Sequence, residues 1–125
     1  MVLLCISKGF NAGVSPDLKL KHIIPATRAN KTYLQRLAYG TSECYESCLL
    51  EIFPERKNML EKRLLPGSTF LRRTVKKWIK TRFSYDPHQL FELASFLGLN
   101  AGIYTALKRK LPWSVNRIIH FLRLD

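Results

Sequence analysis

The sequence predicts a mostly helical α+β chain: a short N-terminal strand pair followed by four or five helices. Three observations carry that expectation. Leu18–Lys19–Leu20–Lys21–His22 places the leucines and His22 on one face and the lysines on the other, the period of two that a strand requires. Beyond Asn30 the apolar residues recur at three- and four-residue spacing, the period of one helix face. Prolines and glycines then cut this second region into helix-sized pieces at Pro54, Pro66–Gly67, Pro87 and Pro112.

The elements follow in order. Val2 to Ile6 reads as the last turns of a helix, with Lys8 near its end and Gly9 at the C-terminal cap. Asn11–Ser15 and Leu18–Ile24 read as short strands around the turn pair Pro16–Asp17, and Pro25, lacking a backbone N–H, ends the second. Thr27 or Asn30 caps a helix that carries Tyr33, Leu34, Leu37 and Ala38. Gly40 costs this helix about 1 kcal/mol relative to alanine and is expected to mark a bend. The pattern resumes at Tyr45, Cys48, Leu49 and Ile52 and stops at Pro54. Glu55 to Leu65 reads as a short charged helix, and Ser68 as the cap of another that runs to about Phe83. Asp86 is placed to cap a helix opened by Pro87 and continuing to about Lys110, after which Pro112 starts a last short one.

Composition narrows the functional classes. A chain of 125 residues with 46% hydrophobic content is one domain's worth of foldable sequence. Twenty-one Lys and Arg against nine Asp and Glu give a net charge of +12, which calls for a polyanionic neighbour. Cys5, Cys44 and Cys48 are an odd number without a disulfide framework, and are expected as buried or half-buried thiols in a reducing compartment. No run reaches the roughly 18 apolar residues of a membrane span; Leu90 to Leu107 comes nearest but holds Glu92 and Asn100. The expected location is therefore cytoplasmic, or peripheral on the inner membrane face. Gly-rich phosphate loops, GxSxG, HExxH and CxxC are all absent from the sequence, so no catalytic set is assigned.

Three features stand out. Between Arg56 and Arg82 lie ten basic residues and one acid, Glu61. Within that stretch Arg72, Arg73, Lys76, Lys77 and Lys80 share one side of a helix, and Leu71, Val75, Trp78, Ile79 and Phe83 are expected on the other. A basic face backed by an apolar face with a tryptophan suits a helix lying in a membrane interface, so these cations and Trp78 are the expected docking residues. RNA is disfavoured on this reading, because the aromatics are placed on the apolar side. The second feature is Ala94, Gly98, Gly102 and Ala106, a four-residue repeat of small side chains that suits close packing of two helices. The third is His22. A lone histidine on an apolar strand face is more often a hydrogen-bonded core residue than a metal ligand.

The order Ser7–Lys8–Gly9–Phe10, Gly13–Val14–Ser15–Pro16, Leu18 to Pro25, Ala26–Thr27–Arg28 and Tyr33 to Gly40 resembles the C-terminal part of family 2 glycosyltransferases. These are inverting, nucleotide-sugar-dependent enzymes of the glycosyltransferase A fold. Phe91 to Gly102 is more loosely similar to their C-terminal helix. The resemblance implies that residues 1–28 are the edge of such a domain and 29–125 its helical extension. It also implies that His22 completes the coordination of a divalent metal, Mn or Mg, on the donor diphosphate. Lys21, Arg28 and Lys31 are the candidate phosphate contacts near it. The family's nucleotide-binding half, Asp-x-Asp pair and catalytic base would precede Met1. The expectation is thus a C-terminal fragment, inactive alone and without cofactor of its own, that needs the missing catalytic half or self-association. It would dock on an anionic membrane surface. Two other readings stand beside it: a small basic RNA-binding or ribosome-associated protein, and a helical interaction module that packs through Gly98 and Gly102.

Overall fold

A computed structural model describes residues 30–83 and 86–124, together with Lys8, Gly9 and Pro25. Five α-helices make up the described part: α1 (Lys31–Ile52), α2 (Lys57–Arg63), α3 (Gly67–Phe83), α4 (Pro87–Ala106) and α5 (Trp113–Phe121), with a 3-10 turn at Pro54–Arg56. The α+β expectation is corrected. No strand occurs among the described residues, and the core residues from Ala38 to Leu124 form one cluster supplied by helices and their caps, with no sheet to cover. The apolar repeat from Leu34 onward has the helical period throughout, which is why helices alone close this core. The strands expected at 11–15 and 18–24 lie outside the described residues, as does the helix tail at 2–6. Gly9 itself is in a turn with φ of 81°, in the left-handed region where glycine is favoured.

Local chemistry explains each helix boundary. Asn30 caps α1, its side chain accepting from the Tyr33 N–H at 2.8 Å. Asp86 caps α4 in the same manner, accepting from His88 N–H at 2.9 Å, with Pro87 as the first helical residue. Helix α1 runs unbroken through Gly40, and a Cβ built there meets nothing within 4 Å. Helix α4 ends at Ala106, four residues before the expected Lys110, because Lys108 turns into the left-handed region with φ of 54°. There the Arg109 N–H donates to Tyr104 O and the Lys108 N–H to Thr105 O, the paired bonds of a Schellman cap. Arg123 closes α5 with the same φ and the same pattern, which tucks Leu124 back onto the core.

Helix α4 is the axis of the bundle. Leu93, Ala94, Leu97, Ala101 and Tyr104 are buried along one broad side and Ile103 beyond it, so most of its circumference is covered, while Glu92 and Thr105 stay exposed. The buried Asn100 amide donates to the Phe96 carbonyl at 2.8 Å, while the buried Gln89 Oε1 has no hydrogen-bond partner. Helix α1 lies against it in parallel, with Tyr39 beside Gly98 and Glu43 beside Gly102. The small-residue repeat therefore packs helix on helix within the chain. Phe70 of α3 fills the other side, edge-on to Phe96 at 5.8 Å and stacked on Tyr104 at 6.1 Å. The Tyr104 hydroxyl donates to Leu65 O at 2.6 Å and fixes the link before α3. Burial raises the pKa of this phenol, opposed by the positive charge of Arg109. Helix α2 is tied to α1 by an ion pair between the exposed Arg63 and the buried Glu46 carboxylate, at 2.8 Å.

Candidate functional site

The basic helix is real, but it is rotated from its expected orientation. Its first turn forms because the Phe70 N–H reaches Pro66 O at 2.8 Å. The residues it buries are Phe70, Thr74 and Thr81, with Trp78 half-buried beside them. Two of those positions are threonines, which is why an apolar count placed the buried face elsewhere. The Thr81 hydroxyl is satisfied by Lys77 O at 2.7 Å, whereas Thr74 Oγ1 is buried without a hydrogen-bond partner. Leu71 and Val75 sit at the margin, and Ile79 and Phe83 lie outside, 48% and 85% exposed. At one hundred degrees or so per residue, both project from the same side as Arg72 and Lys76. The outer face of α3 thus interleaves cations with large apolar side chains.

Arg72, Arg73, Lys76 and Lys80 are exposed, and none takes part in an ion pair among the described residues. Lys77 differs. It is half-buried, with its ammonium 5.4 Å from the centre of the Phe96 ring, a cation–π contact directed into the bundle. Of the five expected docking cations, four face outward and Lys77 faces inward. At the start of the helix, Ser68, Thr69, Arg72 and Arg73 line a polar hollow of about 440 Å³.

Helix α5 extends this surface and was not singled out from the sequence. Trp113 is 71% exposed with the Arg117 guanidinium 4.8 Å over its ring, and Phe121 is 72% exposed. Phe121 meets Trp78 edge-on at 6.2 Å, joining α5 to α3. Trp78, Arg117, Ile118 and Phe121 line an apolar groove of about 310 Å³. The signal was present as the four-residue spacing Trp113, Arg117, Phe121, an aromatic–cation–aromatic ladder on one helix side.

The remaining expected site residues separate. His22, Lys21 and Arg28 lie outside the described residues. Lys31 is the first residue of α1 and exposed; it shares a hollow of about 350 Å³ with Trp78, Arg82, Asp86 and Leu90, so it joins the α3 side of the bundle. The Asp86 carboxylate in that hollow makes it a poor phosphate cradle. Among the described residues no three His, Cys, Asp or Glu side chains stand close enough to hold a metal. Cys44 and Cys48 are free and exposed, contrary to the expected burial. No helix of the described residues is long and apolar enough to cross a membrane.

No family model, curated protein or solved structure matches the chain.

Proposed function

We propose that the chain is a peripheral protein that docks on an anionic membrane surface through the outer face of α3 and the exposed aromatics of α5. The observation that carries this reading is the unpaired set Arg72, Arg73, Lys76 and Lys80 beside the protruding side chains of Ile79, Phe83 and Phe121. Each cation near an anionic leaflet contributes roughly 1 kcal/mol. Four such contacts alone give only millimolar binding, so part of the affinity must come from apolar insertion. A fully buried Phe or Ile adds about 1.5–3 kcal/mol, and Phe83, Ile79 and Phe121 are exposed enough to gain much of that. Cations draw the protein in, and the apolar side chains hold it.

The test is sedimentation with vesicles of phosphatidylcholine and phosphatidylserine. Changing Arg72, Arg73, Lys76 and Lys80 together to Gln is expected to lower binding by at least a hundredfold, as several kcal/mol of attraction disappear. Phe83→Ser with Phe121→Ser is expected to weaken binding without altering its salt dependence. Binding that survives the fourfold Gln change sinks the proposal. A second reading has one observation in its favour. Aromatics interleaved with cations are also how single-stranded nucleic acid is held, by stacking and phosphate neutralisation. Salt-steep RNA binding together with no vesicle binding would replace the membrane reading with this one. The glycosyltransferase reading is carried by the resemblance of residues 4–40 and, more loosely, of Phe91 to Gly102, and no solved structure matches the chain to support it.

A further inference from the structure

Helix α1 presents a second, unrelated surface. Leu34, Leu37, Thr41, Cys44 and Cys48 follow one another at spacings of three, four, three and four, the repeat of a coiled-coil seam. All are exposed, as is Tyr45 beside them; Leu34 is 45%, Leu37 47% and Tyr45 54% open. The seam is drier than its composition suggests, because the Thr41 hydroxyl already donates to Leu37 O at 2.7 Å and can be covered without leaving that donor unpaired.

The charges on this helix identify the occupant. α1 has no acid in its first turn and no base in its last. It begins instead with Lys31 and nearly ends with Glu51, both exposed, the reverse of what its own dipole favours. Helix α4 runs parallel to α1 and brings like ends together; its N-cap Asp86 shares a hollow with Lys31, but Glu51 has no ion pair among the described residues. An antiparallel copy of α1 corrects the reversed charges at both ends. We infer that a second copy of this chain packs antiparallel on the seam Leu34–Leu37–Thr41–Cys44–Cys48, giving a two-fold dimer. The same patch then serves both subunits, and the Lys31 end of each helix lies beside the Glu51 end of the other. The seam and Glu51 lie outside the proposed docking face, whereas Lys31 borders its hollow with Trp78 and Phe121, so Leu37→Glu and Glu51→Lys test the dimer separately from docking.

Sedimentation equilibrium of the full chain under reducing conditions tests this. The wild-type chain is expected to dimerise, and Leu37→Glu, which puts a charge at the middle of the seam, to be monomeric with unchanged helical circular dichroism. Lys31→Glu and Glu51→Lys each are expected to weaken dimerisation about two- to tenfold. Each of these changes improves the fit of α1 to its own dipole, so loss of dimer cannot be ascribed to loss of the helix. The double variant restores the pair and is expected to return to wild-type affinity. A wild-type chain that is monomeric at every concentration overturns the inference. So does a dimer that survives Leu37→Glu, or a double variant that fails to recover.

Discussion

The α1–α4 contact and the α3–α5 face are both made of paired helices, yet they are built in opposite ways. Between α1 and α4 the backbones themselves meet. A Cβ added at Gly98 would collide with the Tyr39 carbonyl oxygen, and one at Gly102 with that of Glu43. Between α3 and α5 the contact is made by Trp78 and Phe121, rings whose centres are 6.2 Å apart, with an open groove beside them. Small residues let two axes close until no volume remains, whereas large ones hold them apart and leave surface for something else. Stability therefore concentrates in the first region, and the second is left with the surface proposed for docking.

The largest effect is expected where there is no room to yield. Gly98→Ala and Gly102→Ala each press a methyl group into backbone, which cannot rotate aside as a side chain does, and should cost roughly 2–4 kcal/mol in denaturant melts. Gly40→Ala, on the same helix as Tyr39 but facing open space, should instead stabilise by about 1 kcal/mol. If all three glycines behaved alike, the contrast between tight and open packing would be lost. The second region should respond in the reverse sense. Changing Arg72, Arg73, Lys76 and Lys80 to Gln should leave the unfolding free energy within about 0.5 kcal/mol of wild type while vesicle binding collapses, since these side chains are exposed and form no ion pair among the described residues.

A third prediction probes the helix end that joins the two regions. Lys108 holds a left-handed conformation that costs an L-residue roughly 1–2 kcal/mol and that glycine adopts freely. Lys108→Gly should recover part of that, about 0.5–1 kcal/mol, as a raised midpoint in the same melts, because glycine's greater freedom in the unfolded chain offsets the rest.

These regions also differ in how much of them could be read from the sequence. The four-residue repeat Ala94, Gly98, Gly102 announced a close helix contact, and the Asn30 and Asp86 caps gave two helix starts, because each signal depends on a few neighbouring residues. The orientation of α3 was not legible. Its buried face includes Thr74 and Thr81, while Ile79 and Phe83 are outside, so hydrophobicity pointed to the wrong side. Which side a helix buries is decided by its neighbours, here Phe96 and Tyr104 receiving Phe70. The end of α4 was missed for a related reason. A glycine marks a left-handed cap in a sequence, but Lys108 does the same work with no such mark. The exposed seam of α1 was visible as spacing, yet only the fold shows that α4 takes the other face and leaves this one open.

The smallest expected effect lies inside the tight contact itself. Glu43 packs its backbone on Gly102, and partial burial raises the pKa of its carboxyl above the ordinary value. Burial penalises the charged form, so the folded protein holds this proton more tightly than the unfolded chain does. The contribution to stability is accordingly complete below the ordinary carboxylate range and is lost as pH rises through the raised value. Glu43→Gln, a neutral side chain of the same shape, removes that loss. The variant should melt at a slightly higher temperature than wild type at neutral pH, and the two curves should converge as pH falls below the carboxylate range. All other acids are common to both proteins and cancel in the difference, so the convergence reports Glu43 alone. A gap of constant size at every pH would mean that the gain came from packing, and that the carboxylate is as well solvated in the seam between α1 and α4 as it is in the unfolded chain.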